Sequence, residues 1–113
     1  MDDDLDMLVS MRRLLKAHGF ETRLFESAAA FLEQRNYDQA FCGIFDINLG
    51  DVSGIDLRRG LAGDGIVLPI IYVTGNDNEA TRTAALESGC VAYLIKPFAA
   101  RSLVESVKKS AMR

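Results

Sequence analysis

The sequence predicts an open, doubly wound α/β domain: a parallel sheet with helices on both faces. Two observations carry this. Short, wholly apolar runs alternate along the chain with segments whose apolar residues recur at helical spacing. The apolar runs lack the alternation of a strand with one wet face, so they suit strands covered on both sides.

The elements follow in order. Met7, Leu8, Met11, Leu14 and Leu15 make one apolar face with Arg12, Arg13 and Lys16 between them, and His18-Gly19 ends this first helix. Thr22-Arg23-Leu24-Phe25 alternates and reads as a weaker strand nearer an edge. Ser27 is the expected N-cap of a second helix carrying Ala30, Phe31 and Leu32. Phe41-Cys42-Gly43-Ile44-Phe45 is the next strand, and a short helix follows Ser53-Gly54 with Ile55, Leu57 and Leu61. Pro69-Ile70-Ile71-Tyr72-Val73 is another strand, after which a helix follows Asn76-Asp77 and stops at Ser88-Gly89. Val91-Ala92-Tyr93-Leu94-Ile95 is the last strand. The final helix runs from about Ala99 to Met112, with Leu103, Val104 and Val107 opposite Lys108 and Lys109.

A chain of 113 residues fits one domain with one core. Thirteen basic residues against sixteen acidic ones give a net charge of −3, so there is no electrostatic footprint for nucleic acid or anionic lipid. No apolar stretch reaches the ~20 residues of a membrane span. The acidic start is unlike a secretion signal, and a cytoplasmic location is expected. Cys42 and Cys90, without CxxC spacing, read as small buried hydrophobes of a reduced protein.

In such sheets the reactive groups gather beyond the carboxyl ends of the strands. The run at 41–45 closes in Asp46, the run at 69–73 in Thr74-Gly75, and the run at 91–95 in Lys96-Pro97-Phe98. Asp2-Asp3-Asp4 precedes the first helix, where an earlier strand would end. Each has a plain structural reading. The acidic triplet suits a helix N-terminus; Asp46 suits a turn; Thr74 suits a cap; Lys96 suits the surface; and Tyr93 suits a core. Their convergence on one rim, each group complementing the others, argues for a site. Clustered carboxylates need a cation, and oxygen ligands without His or Cys select a hard one, Mg²⁺. With Lys96, the Thr74 hydroxyl and the N–H groups of Gly75 and Asn76 as donors, the set describes a phosphoryl acceptor with Asp46 as nucleophile. Gly75 leaves room for the phosphoryl group.

In this order and spacing, Asp2-Asp3-Asp4, Phe45-Asp46, Ser53-Gly54, Val73-Thr74-Gly75 and Tyr93-Leu94-Ile95-Lys96-Pro97-Phe98 resemble the receiver domain of two-component response regulators, over essentially the whole chain. The resemblance implies a flavodoxin-like strand order 2-1-3-4-5, of which a response regulator is itself a standard example. It implies that Asp46 takes a phosphoryl group from a phosphohistidine on a histidine kinase or histidine phosphotransfer protein. It further implies that Asp3, Asp46 and the backbone carbonyl of Asn48 hold Mg²⁺, with Asp2 acting partly through water. Lys96 would hold a phosphoryl oxygen, and its bond to Pro97 would be cis. Thr74 and Tyr93 would form the switch that reshapes the face of the fourth helix, last strand and last helix. Asn48 and Asn76 would flank the phosphate and tune its lifetime.

Two departures stand out. Gly50 occupies the family's usual proline position, and only Met1 represents the family's first strand. Losing about four buried aliphatic side chains, at ~1.5–3 kcal/mol each, amounts to roughly 6–12 kcal/mol, against a usual domain stability of ~5–15 kcal/mol. Residues 1–113 therefore read as a receiver domain lacking most of its first strand and any output domain. Another chain, a rearranged segment or a partner is expected to fill the gap, including a homodimer formed by strand exchange. Two other functions compete. One is a docking module that no longer takes phosphate. The other is a small phosphatase similar to the haloacid dehalogenase superfamily, against which stand Asn48 at the second acid position and the lack of a cap. A flavin carrier of this architecture would need a Ser/Thr/Gly-rich phosphate loop, which the chain lacks. The expectation is a signalling domain and not an enzyme.

Overall fold

Strands β1 (Gly43–Asp46), β2 (Ile70–Thr74) and β3 (Ala92–Ile95) form a parallel sheet in the order β1-β2-β3. Helices α1 (Leu5–Ala17) and α2 (Ala28–Gln34) precede it, and α3 (Gly54–Gly63), α4 (Glu79–Glu87) and α5 (Ala100–Ala111) follow the successive strands. The computed structural model describes residues 1–2, 4–34, 40–49 and 52–111. The register sets Asp46 opposite Val73 and Thr74 opposite Ile95, so all three strands finish along one edge.

The pleat sorts the core into two layers. Ile70 and Tyr72 point to the side of Ala28, Phe31, Ile55, Leu57, Leu61 and Ala85. Ile71 points to the other side, among Leu8, Met11 and Leu15 of α1 and Leu103 and Val107 of α5. Helices α2, α3 and α4 thus cover one face and α1 and α5 the other, the doubly wound arrangement expected. Because β2 is buried along its whole length, its sequence can be apolar throughout. β3 departs from the expectation. Its run is just as apolar, yet it is half-buried and Ile95 is 45% exposed, since a strand at the sheet's edge has one neighbour. Cys42 and Cys90 are likewise half-buried free thiols and not core residues.

Local chemistry explains the helix ends. Asp4 caps α1 by accepting from the N–H groups of Asp6 at 3.0 Å and Met7 at 3.3 Å. His18 closes that helix with Nδ1 3.0 Å from the Leu14 carbonyl, and Gly19 follows at φ 87°, a left-handed turn that favours glycine. Ser27 caps α2 as expected, through Ala30 N–H, and Ser53 caps α3 through Asp56 N–H, so that helix begins at Gly54. Helix α4 begins behind Asn78, whose side chain accepts from Thr81 N–H at 2.8 Å, so the start falls just past the expected Asn76-Asp77.

Residues 22–25, expected as a strand, form no ladder. A parallel ladder needs a partner, and among the described residues only Met1 and Asp2 lie between this segment and β1. Asp2 N–H donates to the Phe25 carbonyl at 3.2 Å, Asp46 N–H donates to the Met1 carbonyl at 2.8 Å, and the Met1 amine donates to the Ile44 carbonyl. Next to Met1 the two walls enclose a cleft of about 320 Å³, lined by Leu8, Leu15, Leu24, Phe25 and Ile44 among others. Three laddered strands are therefore found among the described residues, where the sequence reads four.

Candidate functional site

A common strand direction delivers Asp46, Thr74 and Lys96 to the carboxyl edge of the sheet. Lys96 follows β3 directly, and its N–H donates to the Thr74 carbonyl at 2.7 Å, which carries the β2–β3 pairing one residue further. The Lys96–Pro97 bond is cis, as the resemblance implies. The Lys96 ammonium bridges two carboxylates, donating to Asp2 Oδ2 at 2.7 Å and to Asp46 Oδ2 at 2.8 Å. The remaining oxygens are held by backbone: Asn48 N–H donates to Asp46 Oδ1 at 2.9 Å, and Asp4 N–H donates to Asp2 Oδ1 at 2.9 Å. Asp2 and Thr74 are fully buried and Asp46 is 5% exposed. Thr74 Oγ1 accepts from Asn76 N–H at 3.1 Å.

The loop after β1 is docked tightly. Gly54 N–H donates to the Ile47 carbonyl at 2.8 Å, and a Cβ on Gly54 would stand 2.5 Å from the Asp46 carbonyl oxygen. Only glycine lets the start of α3 lie this close to the acidic residue. Gly75 is open by contrast, a Cβ there meeting Lys96 Cδ at 3.9 Å, an ordinary contact.

Charge in the cluster is unbalanced. Burial pushes the Asp46 carboxyl above its ordinary value and the Asp2 charge adds to this, while the Lys96 bond opposes. For Asp2, burial works the same way, but the bonds from Lys96 and Asp4 N–H outweigh it and hold the carboxyl below its ordinary value. Burial lowers Lys96, and the two carboxylates more than reverse that. Two buried carboxylates share one ammonium, so the cluster is short of positive charge. Its donors are all oxygen, which suits a hard divalent ion. Among the described residues no set of three acidic, His or Cys side chains forms a metal cluster. Asp2 and Asp46 are the pair present, while Asp3, the expected ligand, and Gly50 lie outside the described residues. Asp2 bonds directly to Lys96, because the packing of the first residues against β1 buries its side chain beside the ammonium.

Tyr93 is the other expected switch residue. Its hydroxyl donates to Asp77 Oδ1 at 2.8 Å, and Asp77 also pairs with Arg82 on α4. Burial and the Asp77 carboxylate push the phenol up to about 12. Sequence reasoning treats Asp77 as part of a helix start and does not single out Arg82. The partner of Asp77 on β3 is 16 residues away, and no local signal announces it.

These observations define a doubly wound α/β domain with a lysine-bridged acidic pair at the carboxyl edge of its sheet. The chain belongs to the response regulator receiver domain family, whose model matches residues 1–108. It is 30% identical over 108 residues to response regulator protein TodT of Pseudomonas putida, covering 96% of this chain and 48% of that protein. It is 33% identical over 107 residues to nodulation protein W of Bradyrhizobium diazoefficiens, covering 95% and 47%. It spans about half the length of these curated relatives. A crystal structure of a response regulator receiver protein from Pseudoalteromonas atlantica superposes with a TM-score of 0.92 at 26% identity, over 98% of this chain and 93% of that one. The family places the chain in two-component signalling. Among the described residues no helix is long and apolar enough to cross a membrane.

Proposed function

We propose that the chain is a phosphoacceptor and that Asp46 is the acceptor. An Asp46 carboxylate oxygen bonds to the phosphorus of a phosphohistidine on a kinase or phosphotransfer protein. The P–N bond breaks, and its electron pair leaves with the imidazole, which takes up a proton. Lys96 and the Thr74 hydroxyl stabilise the phosphoryl oxygens, with backbone N–H groups of the flanking loops as further donors. Asp2, Asp3, Asp46 and the Asn48 carbonyl are the groups that would hold Mg²⁺, which when bound offsets the negative charge of the phosphoryl group. Thr74 and Tyr93 transmit the change to the face formed by α4, β3 and α5.

The observation that carries this reading is the Lys96 bridge between two buried carboxylates. It presents an acceptor, a cation and a charge deficit at one spot. The experiment is incubation of the full chain with a small phosphodonor and Mg²⁺, followed by intact mass and hydroxylamine treatment. A single hydroxylamine-labile phosphoryl adduct is expected, and none in Asp46→Asn. No adduct in the parent chain, or an adduct that survives in Asp46→Asn, overturns the proposal. The first result, with kinase binding retained, leaves a docking module. Multiple turnover on phosphate monoesters leaves a phosphatase.

A further inference from the structure

Asp77 sits where three elements meet. Its Oδ1 accepts from the Tyr93 hydroxyl on β3 at 2.8 Å, and its Oδ2 pairs with the Arg82 guanidinium on α4. The residue before it, Asn76, donates its N–H to Thr74 Oγ1 at 3.1 Å. The residue after it, Asn78, caps α4. Three consecutive residues therefore carry a bond into the site, a clasp onto β3 and α4, and the start of a helix. Consecutive Cα atoms are held ~3.8 Å apart, so a displacement of Asp77 is felt at Asn76.

We propose that Asp77 is a positioning residue for the acceptor site: by clasping Tyr93 and Arg82 it holds the loop in which Asn76 N–H meets Thr74 Oγ1. This rests on the phosphoacceptor reading above. Both Asp77 oxygens are engaged by groups outside the Asp2–Asp46–Lys96 cluster, so its effect passes through the loop. Arg82 is half exposed, and an exposed ion pair of this kind contributes little to stability. The Tyr93 bond is the firmer half of the clasp, because the phenol comes from a partly buried strand residue. With the clasp open, Thr74 and Asn76 lose their preset geometry, and donors that must reorganise stabilise a developing charge less well.

The test compares the full chain with Asp77→Ala, Asp77→Asn, Tyr93→Phe and the double variant Asp77→Ala/Tyr93→Phe. The readouts are the initial rate of adduct formation from a small phosphodonor with Mg²⁺ and the amide spectra of Thr74 and Asn76. Asp77→Ala is expected to react about two- to tenfold more slowly, the equivalent of one net hydrogen bond. Its Asn76 amide signal should shift. Tyr93→Phe should act in the same direction, and the double variant should be no slower than Asp77→Ala, since both open one clasp. Asp77→Asn keeps an acceptor for Tyr93 and should recover most of the rate. A wild-type rate in Asp77→Ala, or single effects that multiply in the double variant, overturns the inference. If the parent chain takes no phosphoryl group, the acceptor reading fails by itself. An unmoved Asn76 amide in Asp77→Ala then separately refutes the clasp.

Discussion

Replacing Lys96 with methionine keeps much of the stem and removes the ammonium shared by Asp2 and Asp46. The Asp2 side chain is fully buried, that of Asp46 is 7% exposed and that of Lys96 is 19% exposed, so water does not screen the loss. Leaving a buried partner unpaired costs about 3–5 kcal/mol. The pair can escape by taking up one proton, which sets a ceiling. For a carboxyl with an ordinary value of 3.8, neutralisation costs about 4.4 kcal/mol at pH 7 and about 1.6 kcal/mol at pH 5, at 1.36 kcal/mol per unit. The sign follows from linkage. The folded variant binds a proton that the unfolded chain does not bind above 3.8, so its stability rises as pH falls. Asp46 is already raised in the parent chain, so the informative quantity is the difference between the two proteins at each pH. Urea unfolding with a chelator present, at pH 5, 6 and 7, should show a deficit of about 3–4 kcal/mol at pH 7 that shrinks to under about 2 kcal/mol at pH 5. A deficit that is flat with pH, or larger at pH 5, would refute the buried, lysine-bridged pair.

Three further outcomes are expected. Gly54→Ala must move the start of α3 off the Asp46 carbonyl, costing about 1–3 kcal/mol in urea unfolding and slowing adduct formation on Asp46. Asp4→Ala removes the α1 cap and should cost about 1 kcal/mol by the same measurement. Thr22 Oγ1 is buried without a hydrogen-bond partner among the described residues, so Thr22→Val should raise the melting temperature, with a gain of about 1 kcal/mol; a lower melting temperature would show that the hydroxyl has a partner.

The elements most legible in the chain are those whose causes are local. Ser53 declares its helix because its hydroxyl must meet Asp56 N–H three residues on. Gly19 and Gly89 mark helix ends because left-handed turns there favour glycine. Pro69–Val73 reads as a strand because a central strand is apolar on both faces. Residues 22–25 mislead because their alternation is real while the ladder that would make them a strand depends on a neighbour far away in sequence. The half-exposed β3 misleads for a related reason: an apolar run states what a strand can tolerate, not how many neighbours it has. The clasp of Asp77 on Tyr93 leaves no trace in either local sequence.

For this protein, the order of residues determined which groups would stand at the ends of the strands, because a parallel sheet turns position in a run into position along an edge. It therefore named Asp46, Thr74 and Lys96 together. The tertiary structure decided how their charges are shared. Only the packing of the first residues against β1 brings Asp2 under the Lys96 ammonium, buries both carboxylates and leaves the pair short of positive charge. Burial and pairing are properties of three-dimensional neighbours, and these neighbours lie 94 and 50 residues apart in the chain.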